Sequence, residues 1–318
     1  MLNRMKKTIL ATLMVLCTFT AQSQESETIY NFLRLPVSAH VAALGGEGIA
    51  LPDDDASLLF HNPALISNVT DKTMNLNFMT YMEGSKTASA SFILAHKERG
   101  TWGFAAQYMD YGDIKEVTAD NIEVGDVSAK DVMLMGTYTY CLTDKLAGGI
   151  SAKFITSSLA GYNSMAVGVD IGLNYYDPKT GISLSAVARN LGGEVKAYED
   201  DFEKIPFDLQ IGASKRLGHS PLRFSATISQ LHKWNERFAN HFTVGVDVLL
   251  SKSIYIAGGY NFRRAHEMKV EDEEDSSSHW AGVSFGAGLR LKKFKLDMAY
   301  AKYHVSTSSL TFSVAYSL

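Results

Sequence analysis

From Thr73 onward, apolar residues return at every second position, the period of a strand whose side chains alternate between two faces. Met165, Val167, Val169, Ile171, Leu173 and Tyr175 form the cleanest series, and Phe242, Val244, Val246, Val248 and Leu250 repeat it, as do Ala281 to Leu291 and Leu310 to Leu318. A helical period of 3.6 residues fits none of these runs. Fourteen segments are predicted, over 73–82, 87–95, 101–110, 131–141, 146–157, 164–176, 181–190, 206–216, 221–231, 241–250, 254–263, 280–291, 294–303 and 309–318. Most are about ten residues long, the length a tilted strand needs to cross a hydrocarbon layer.

The opposite face decides what surrounds these strands. It reads Gly168, Asp170, Gly172 and Asn174 in one segment and Gly282, Ser284, Gly286 and Gly288 in another, with isolated charges at Lys153, Asp170, Asp247, Arg290 and Asp297. A water-soluble sandwich would place Lys and Glu there. Small residues suit a crowded lumen, while a Lys or Arg facing mid-bilayer lipid costs about 2 to 4 kcal/mol. The links alternate in kind as well. Short ones at 96–100, 142–145, 177–180, 218–220, 251–253 and 292–293 take every second place, and the intervening ones, 111–130, 191–205, 231–240 and 264–279 among them, are mostly longer and more polar. The pattern predicts an all-β fold, a transmembrane antiparallel β-barrel of about 14 strands over 73–318, with both termini periplasmic. Tyr81, Trp102, Tyr108, Tyr140, Tyr175, Tyr176, Tyr255, Trp280 and Tyr303, near strand ends, suit interfacial girdles.

Residues 1–23 read as a signal peptide: Arg4, Lys6 and Lys7, a charge-free apolar run from Thr8 to Phe19, and the small-x-small set Ala21-Gln22-Ser23. Lipid attachment through Cys17 is disfavoured by the bulk of Leu16. Loss of this leader leaves Cys141 as the only thiol and moves the net charge from −4 to −7. A mildly acidic chain without a basic stripe is a poor nucleic-acid binder. With 46% hydrophobic residues, 25 Gly and 6 Pro in 318, the chain is neither disordered nor collagen-like.

Residues 24–72 precede the first strand and hold Ile29, Phe32, Leu33, Leu35, Val37, Val41 and Leu44, the glycines Gly45, Gly46 and Gly48, the triplet Asp53-Asp54-Asp55 and Asn62-Pro63-Ala64. Fourteen strands enclose more space than wall side chains fill, so this segment is expected to enter the barrel as a plug or hatch, its glycines permitting close backbone approach. The alternative is a periplasmic cap.

The run Leu35 to Ala50, followed by Asp55-Ala56-Ser57 and Phe60-His61-Asn62-Pro63-Ala64, resembles the N-terminal signature of the PorV/PorQ family, outer-membrane components of the type IX secretion system and distant relatives of the long-chain fatty-acid transporter barrels. The lead-in Asn31 to Pro36 and the short chain resemble the PorQ branch more than the PorV branch. The terminal Leu318 departs from the Phe that often ends such barrels. The resemblance implies a non-enzymatic barrel that anchors a surface attachment complex, with PorZ, PorV and PorU as partners and outer-membrane lipid around it.

No Ser-His-Asp elbow, Walker loop, His-Glu-x-x-His or Cys-x-x-Cys is present, so no catalytic residue, cofactor or metal is expected. A two-residue turn at Lys293-Phe294 would set Arg290 directly across from Asp297 as a lumen ion pair, or as a solvated rim pair. Asp53 to Asp55 offers clustered carboxylates for calcium or a solvated acidic turn. His61 reads as structural. The acidic loop Glu271, Asp272, Glu273, Glu274 and Asp275 could face a basic partner or merely remain solvated. Besides the anchor, two other functions are open: a passive transporter of hydrophobic small molecules, which needs a continuous apolar interior, and a barrel phospholipase, which needs a Ser/His pair at the membrane edge.

Overall fold

The computed structural model describes residues 28–318 except 83, 118–122, 200, 252, 269–279 and 304–306. The leader over 1–23 and the run Glu271 to Asp275 lie outside the described residues. Ahead of the strands come three 3-10 turns, Asn31–Arg34, Ala56–Phe60 and Pro63–Asn68, and a single-turn helix α1 (Ala39–Ala43). Each of the last three elements is started by a polar cap: Ser38 accepts from the Val41 N–H, Asp55 from Ser57, and Asn62 from Ala64 with Pro63 at the first position. These residues satisfy N–H groups that a helical start leaves without partners.

Fourteen strands follow: β1 (Thr73–Thr80), β2 (Lys86–His96), β3 (Gly100–Val117), β4 (Glu123–Cys141), β5 (Leu146–Leu159), β6 (Tyr162–Asp177), β7 (Ile182–Lys196), β8 (Asp208–Arg216), β9 (Leu222–Ile228), β10 (Phe242–Leu249), β11 (Ile254–Asn261), β12 (Val283–Arg290), β13 (Phe294–Ala301) and β14 (Ser309–Ser317). Each pairs antiparallel with its neighbours in sequence, and β1 pairs with β14, Thr73 opposite Ser317, so the ring is closed. Closure leaves no unpaired sheet edge. Every predicted segment corresponds to one strand, although the heights differ. β3 and β4 run for 18 and 19 residues, so much of the link expected over 111–130 continues the hairpin, past an irregularity between Asp110 and Asp113. The predicted strand 254–263 stops at Asn261, whose side chain caps a helix α2 (Phe262–Glu267). The short links, together with the start of β1 and the end of β14, lie at one end of the ring, here called the turn end; the other is the loop end.

Burial is inverted relative to a globule. Along β6, Ser164, Ala166, Gly168, Asp170, Gly172 and Asn174 are buried while Val167, Ile171, Leu173 and Tyr175 are exposed; Asp170 is 1% accessible and Ile171 50%. The exposed apolar side chains adjoin across strands, Leu134 beside Phe154 beside Val167, and Met298 beside Phe312 beside Phe78. A belt of this extent far exceeds the few hundred Å² of apolar patch that a water-soluble monomer shows. No helix among the described residues is long and apolar enough to cross a membrane.

Two expectations are corrected. Arg290 faces Lys295, and Asp297 faces Gly288, because Leu291 N–H donates to Phe294 O at 2.7 Å and centres the turn on Lys292-Lys293. The two-residue shift keeps both side chains on the lumen face but dissolves the direct pair: Arg290 lies 3.8 Å from Asp53 and over the Tyr255 ring, and Asp297 accepts from the Tyr255 hydroxyl at 2.7 Å. Tyr255 is therefore a buried lumen residue, not a girdle residue, and Tyr81 and Tyr303 also face the interior, whereas Trp102, Tyr108, Tyr140, Tyr175 and Trp280 are exposed.

Candidate functional site

The segment that precedes β1 is buried almost throughout from Phe32 to Ile66, and what buries it is the lumen face of the wall. Ala39 N–H donates to Ser313 Oγ and Ser284 Oγ donates to Ala43 O, each at 3.0 Å. Leu44 and the Gly45 backbone lie against Gly259 so closely that a Cβ there would overlap them, and Leu44 also fills the space beside Gly245. Gly45 and Gly46 have φ of 105° and 94°, conformations that an L side chain strains to adopt. Gly48 leaves room for Val41 and Leu51. Opposite, Asn62 Nδ2 donates to Ile49 O and Leu173 O at 3.0 and 3.3 Å, and Thr139 Oγ1 donates to Pro63 O at 2.5 Å. Gly149 and Gly172 leave the space that Pro63 and Asn62 occupy. Both glycine-bearing and Asn-Pro-Ala motifs are thus contact surfaces for the wall, and each finds glycines facing it.

Two apolar clusters grow from these contacts. One joins Phe32, Leu33, Leu35, Leu59, Phe60 and Ile66 to Ile93, Met109, Met133, Met135 and Ile155 of the wall. The other joins Val41, Leu44, Leu51, Leu58 and Leu65 to Tyr255, Ala257 and Ala299.

At the turn end a buried ionic network ties the segment to β9 and β10. His40 Nε2 lies 2.6 Å from Asp247 Oδ1 and its Nδ1 3.1 Å from Asp53 Oδ2. Arg223 donates through Nε to Asp247 and through Nη1 and Nη2 to Asp53, at 2.7, 2.7 and 2.9 Å. His40 and Arg223 together bridge Asp53 and Asp247, and Arg290 approaches Asp53 at 3.8 Å. Burial alone would push the His40 imidazole down, but Asp247 and Asp53 outweigh it and hold the pKa at about 9. Asp53 is driven well below the usual carboxylate range, since Arg223, His40 and Arg290 overcome its burial. Because the folded pKa of His40 stands above its ordinary 6.5, its stabilisation is complete below that value and is lost as the pH passes about 9. A rise of this size is worth about 3 kcal/mol. The unfolding midpoint of the detergent-solubilised protein is expected to fall between pH 7 and pH 10, and to fall less in His40→Gln.

The acidic triplet is neither a calcium cluster nor a solvated turn, because its three carboxylates go separate ways. Asp53 enters the network. Asp54 binds Lys295 Nζ at 2.5 Å and accepts from Thr70. Asp55 accepts from Ser38, Ser57 and Asn75. Among the described residues no group of three or more metal-ligating side chains is assembled. The lumen charges Lys153 and Asp170 form a buried pair at 2.7 Å. His61 is buried with no hydrogen-bond partner at either ring nitrogen among the described residues, and burial, reinforced by Arg189 and Lys153, pushes its pKa well down.

Among the described residues, a cavity lined by charged side chains lies at each end of the lumen. The turn-end cavity, about 440 Å³, is lined by Asp53, Arg223, Tyr255, Arg290 and neighbouring turn residues. The loop-end cavity, about 230 Å³, is lined by Arg34, Glu47, Arg189, Asp208, Arg263 and Arg264 among others. Sequence reasoning singled out Asp247, Arg290 and Asp53 but missed His40 and Arg223. The signal for His40 was a lone ionisable side chain inside the apolar run Val37 to Leu44.

The closed fourteen-stranded antiparallel ring is a fold also seen in solved outer-membrane barrels. The toluene transporter TodX of Pseudomonas putida is 14% identical, with a TM-score of 0.59 over 89% of this chain and 98% of that one. A Pseudomonas aeruginosa FadL homologue is 10% identical, with a TM-score of 0.56 over 88% and 98%. The CymD monoaromatic hydrocarbon channel is 13% identical, with a TM-score of 0.58 over 89% and 97%. No family model and no curated protein matches the chain.

Proposed function

We propose that this chain is a filled outer-membrane barrel, both termini periplasmic, that works as a non-enzymatic anchor of the type IX attachment complex, with PorZ, PorV and PorU as its partners. One observation carries the reading: among the residues that bear the family resemblance, Gly45 and Asn62-Pro63-Ala64 dock the N-terminal segment on the lumen wall, and Gly48 makes room for Val41 and Leu51 within the segment. The segment acts as a plug. Its apolar side chains take up the bore, and the cavities left at the ends present Asp53, Arg223 and Arg290 on one side and Arg189, Arg263 and Arg264 on the other. An uncharged hydrocarbon gains nothing from exchanging water for such walls.

A second reading, passive transport of hydrophobic small molecules, draws support from the solved barrels named as a toluene transporter and a monoaromatic hydrocarbon channel. At 10 to 14% identity that likeness speaks for the fold alone. Affinity purification from detergent-solubilised outer membranes, paired with toluene uptake into proteoliposomes, separates the two. Recovery of the attachment-complex proteins without toluene uptake is the expected result. Uptake above that of protein-free liposomes, with none of those partners recovered, would replace the anchor by the transporter.

A further inference from the structure

The loop-end cavity collects more guanidinium than its carboxylates use. β7 carries a bulge there: Val169 pairs with Leu191 and Ile171 with Ala188, so Arg189 and Asn190 together oppose Asp170. The extra residue turns two consecutive side chains inward, and both are buried. Arg189, 6% accessible, donates from Nη2 to Leu33 O at 3.1 Å, yet its Nε has no partner among the described residues. Arg264, 7% accessible, is held by Nε and Nη2 on Ala281 O and Gly282 O at 3.1 and 3.0 Å and lies over the Tyr303 ring, and among the described residues its Nη1 makes no hydrogen bond of normal geometry. Arg263 Nη2 reaches Glu236 only at 3.5 Å, and its Nε is also unpartnered. Leaving a buried donor unpaired is costly, the more so when it is charged. Folded proteins rarely leave such groups orphaned, and orphans gathered around one cavity mark a place for an absent acceptor.

The acids in the chamber do not cancel these cations. Burial, and then Asp208, pushes the Glu47 carboxyl up to about 7, and burial pushes Glu267 up as well. Glu47 and Asp208 accept hydrogen bonds from Gln210 Nε2 at 3.0 and 2.7 Å. The free N–H groups arrive from three side chains on two elements, β7 and α2. A planar carboxylate offers its oxygens in one plane, whereas a tetrahedral oxyanion offers them in several directions and matches converging guanidinium forks. A cavity of about 230 Å³ holds one such group with a few waters.

We propose that the loop-end chamber is a binding site for a phosphoryl group, held by Arg189, Arg263 and Arg264. The assignment stands whether the barrel anchors or conducts. It is tested by calorimetric titration of inorganic phosphate into the detergent-purified full chain in low salt. Saturable binding below about 1 mM is expected, weakened at least tenfold in Arg263→Gln, whose side chain reaches Glu236 at 3.5 Å, and in Arg189→Lys, which keeps the charge but loses the Nε donor. Short-chain phosphatidic acid that competes at least tenfold more strongly than glycerol 3-phosphate assigns the group to a lipid head; equal competition assigns it to a soluble phosphate. Absence of phosphate binding in the wild type, or equal affinity in wild type and both variants, overturns the site.

Discussion

Arg223→Leu is expected to lower the unfolding free energy of the detergent-solubilised protein by about 3 to 5 kcal/mol, the cost of removing one partner from a buried ionic set. The guanidinium supplies three hydrogen bonds, one to Asp247 and two to Asp53. Without it, two carboxylates that are 0% and 12% accessible retain the His40 imidazolium between them and, 3.8 Å from Asp53, the more distant Arg290. Asp247, fully buried, is then left with His40 as its one close cation. Arg223→Met combined with Asp247→Leu should recover most of the loss, because apolar replacement of a buried pair is often close to neutral while halving the pair is not. Chemical unfolding followed by tryptophan fluorescence measures both variants. A single substitution as stable as the wild type would show that the network contributes only geometry.

The second large effect lies at Gly259. A Cβ there would overlap the Leu44 carbonyl group and the Gly45 nitrogen, and backbone cannot rotate aside as the end of a long side chain can. Gly259→Val is therefore expected to cost about 3 kcal/mol, the upper end of the overpacking range, and to push the stretch Leu44–Gly45 off β11. Displacement at that point opens a wet path between the two charged cavities, so planar-bilayer recordings should show discrete conductance steps in Gly259→Val and none in the wild type. Gly136, which has no atom within 4 Å of its would-be Cβ, provides the control: Gly136→Ala should leave both stability and conductance unchanged.

The wall was legible from the chain because a period of two is a local signal, readable within ten residues, and because lipid outside and a packed lumen inside write opposite chemistries on the two faces. Ile171 and Asp170 fall on the predicted sides. Register was less legible. Centring the β12–β13 turn one residue late moves every partner by two, an error that parity cannot detect because a two-residue slip returns each side chain to its own face. The interior network was least legible. His40 and Arg223 are 183 residues apart, and no local pattern announces which lumen charge meets which segment residue. The arginine-lined chamber depends in turn on a bulge at Arg189-Asn190, which moves the outward positions of β7 from Leu184 and Ala186 to Leu191 and Val195, a phase change too short to stand out in the run.

The amount of apolar material on the N-terminal segment limits how this barrel could ever gate. Leu44, Ile49, Leu51, Leu58, Leu59, Leu65 and Ile66 are all less than 2% accessible, and burying each side chain is worth about 1.5 to 3 kcal/mol. Expelling them together would cost roughly 10 to 20 kcal/mol, and each 1.4 kcal/mol lowers a population tenfold. Thermal fluctuation would then eject the segment in fewer than about one molecule in ten million. Any opening this molecule undergoes in its working life has to proceed through small local displacements, with the bulk of its stuffing left in place.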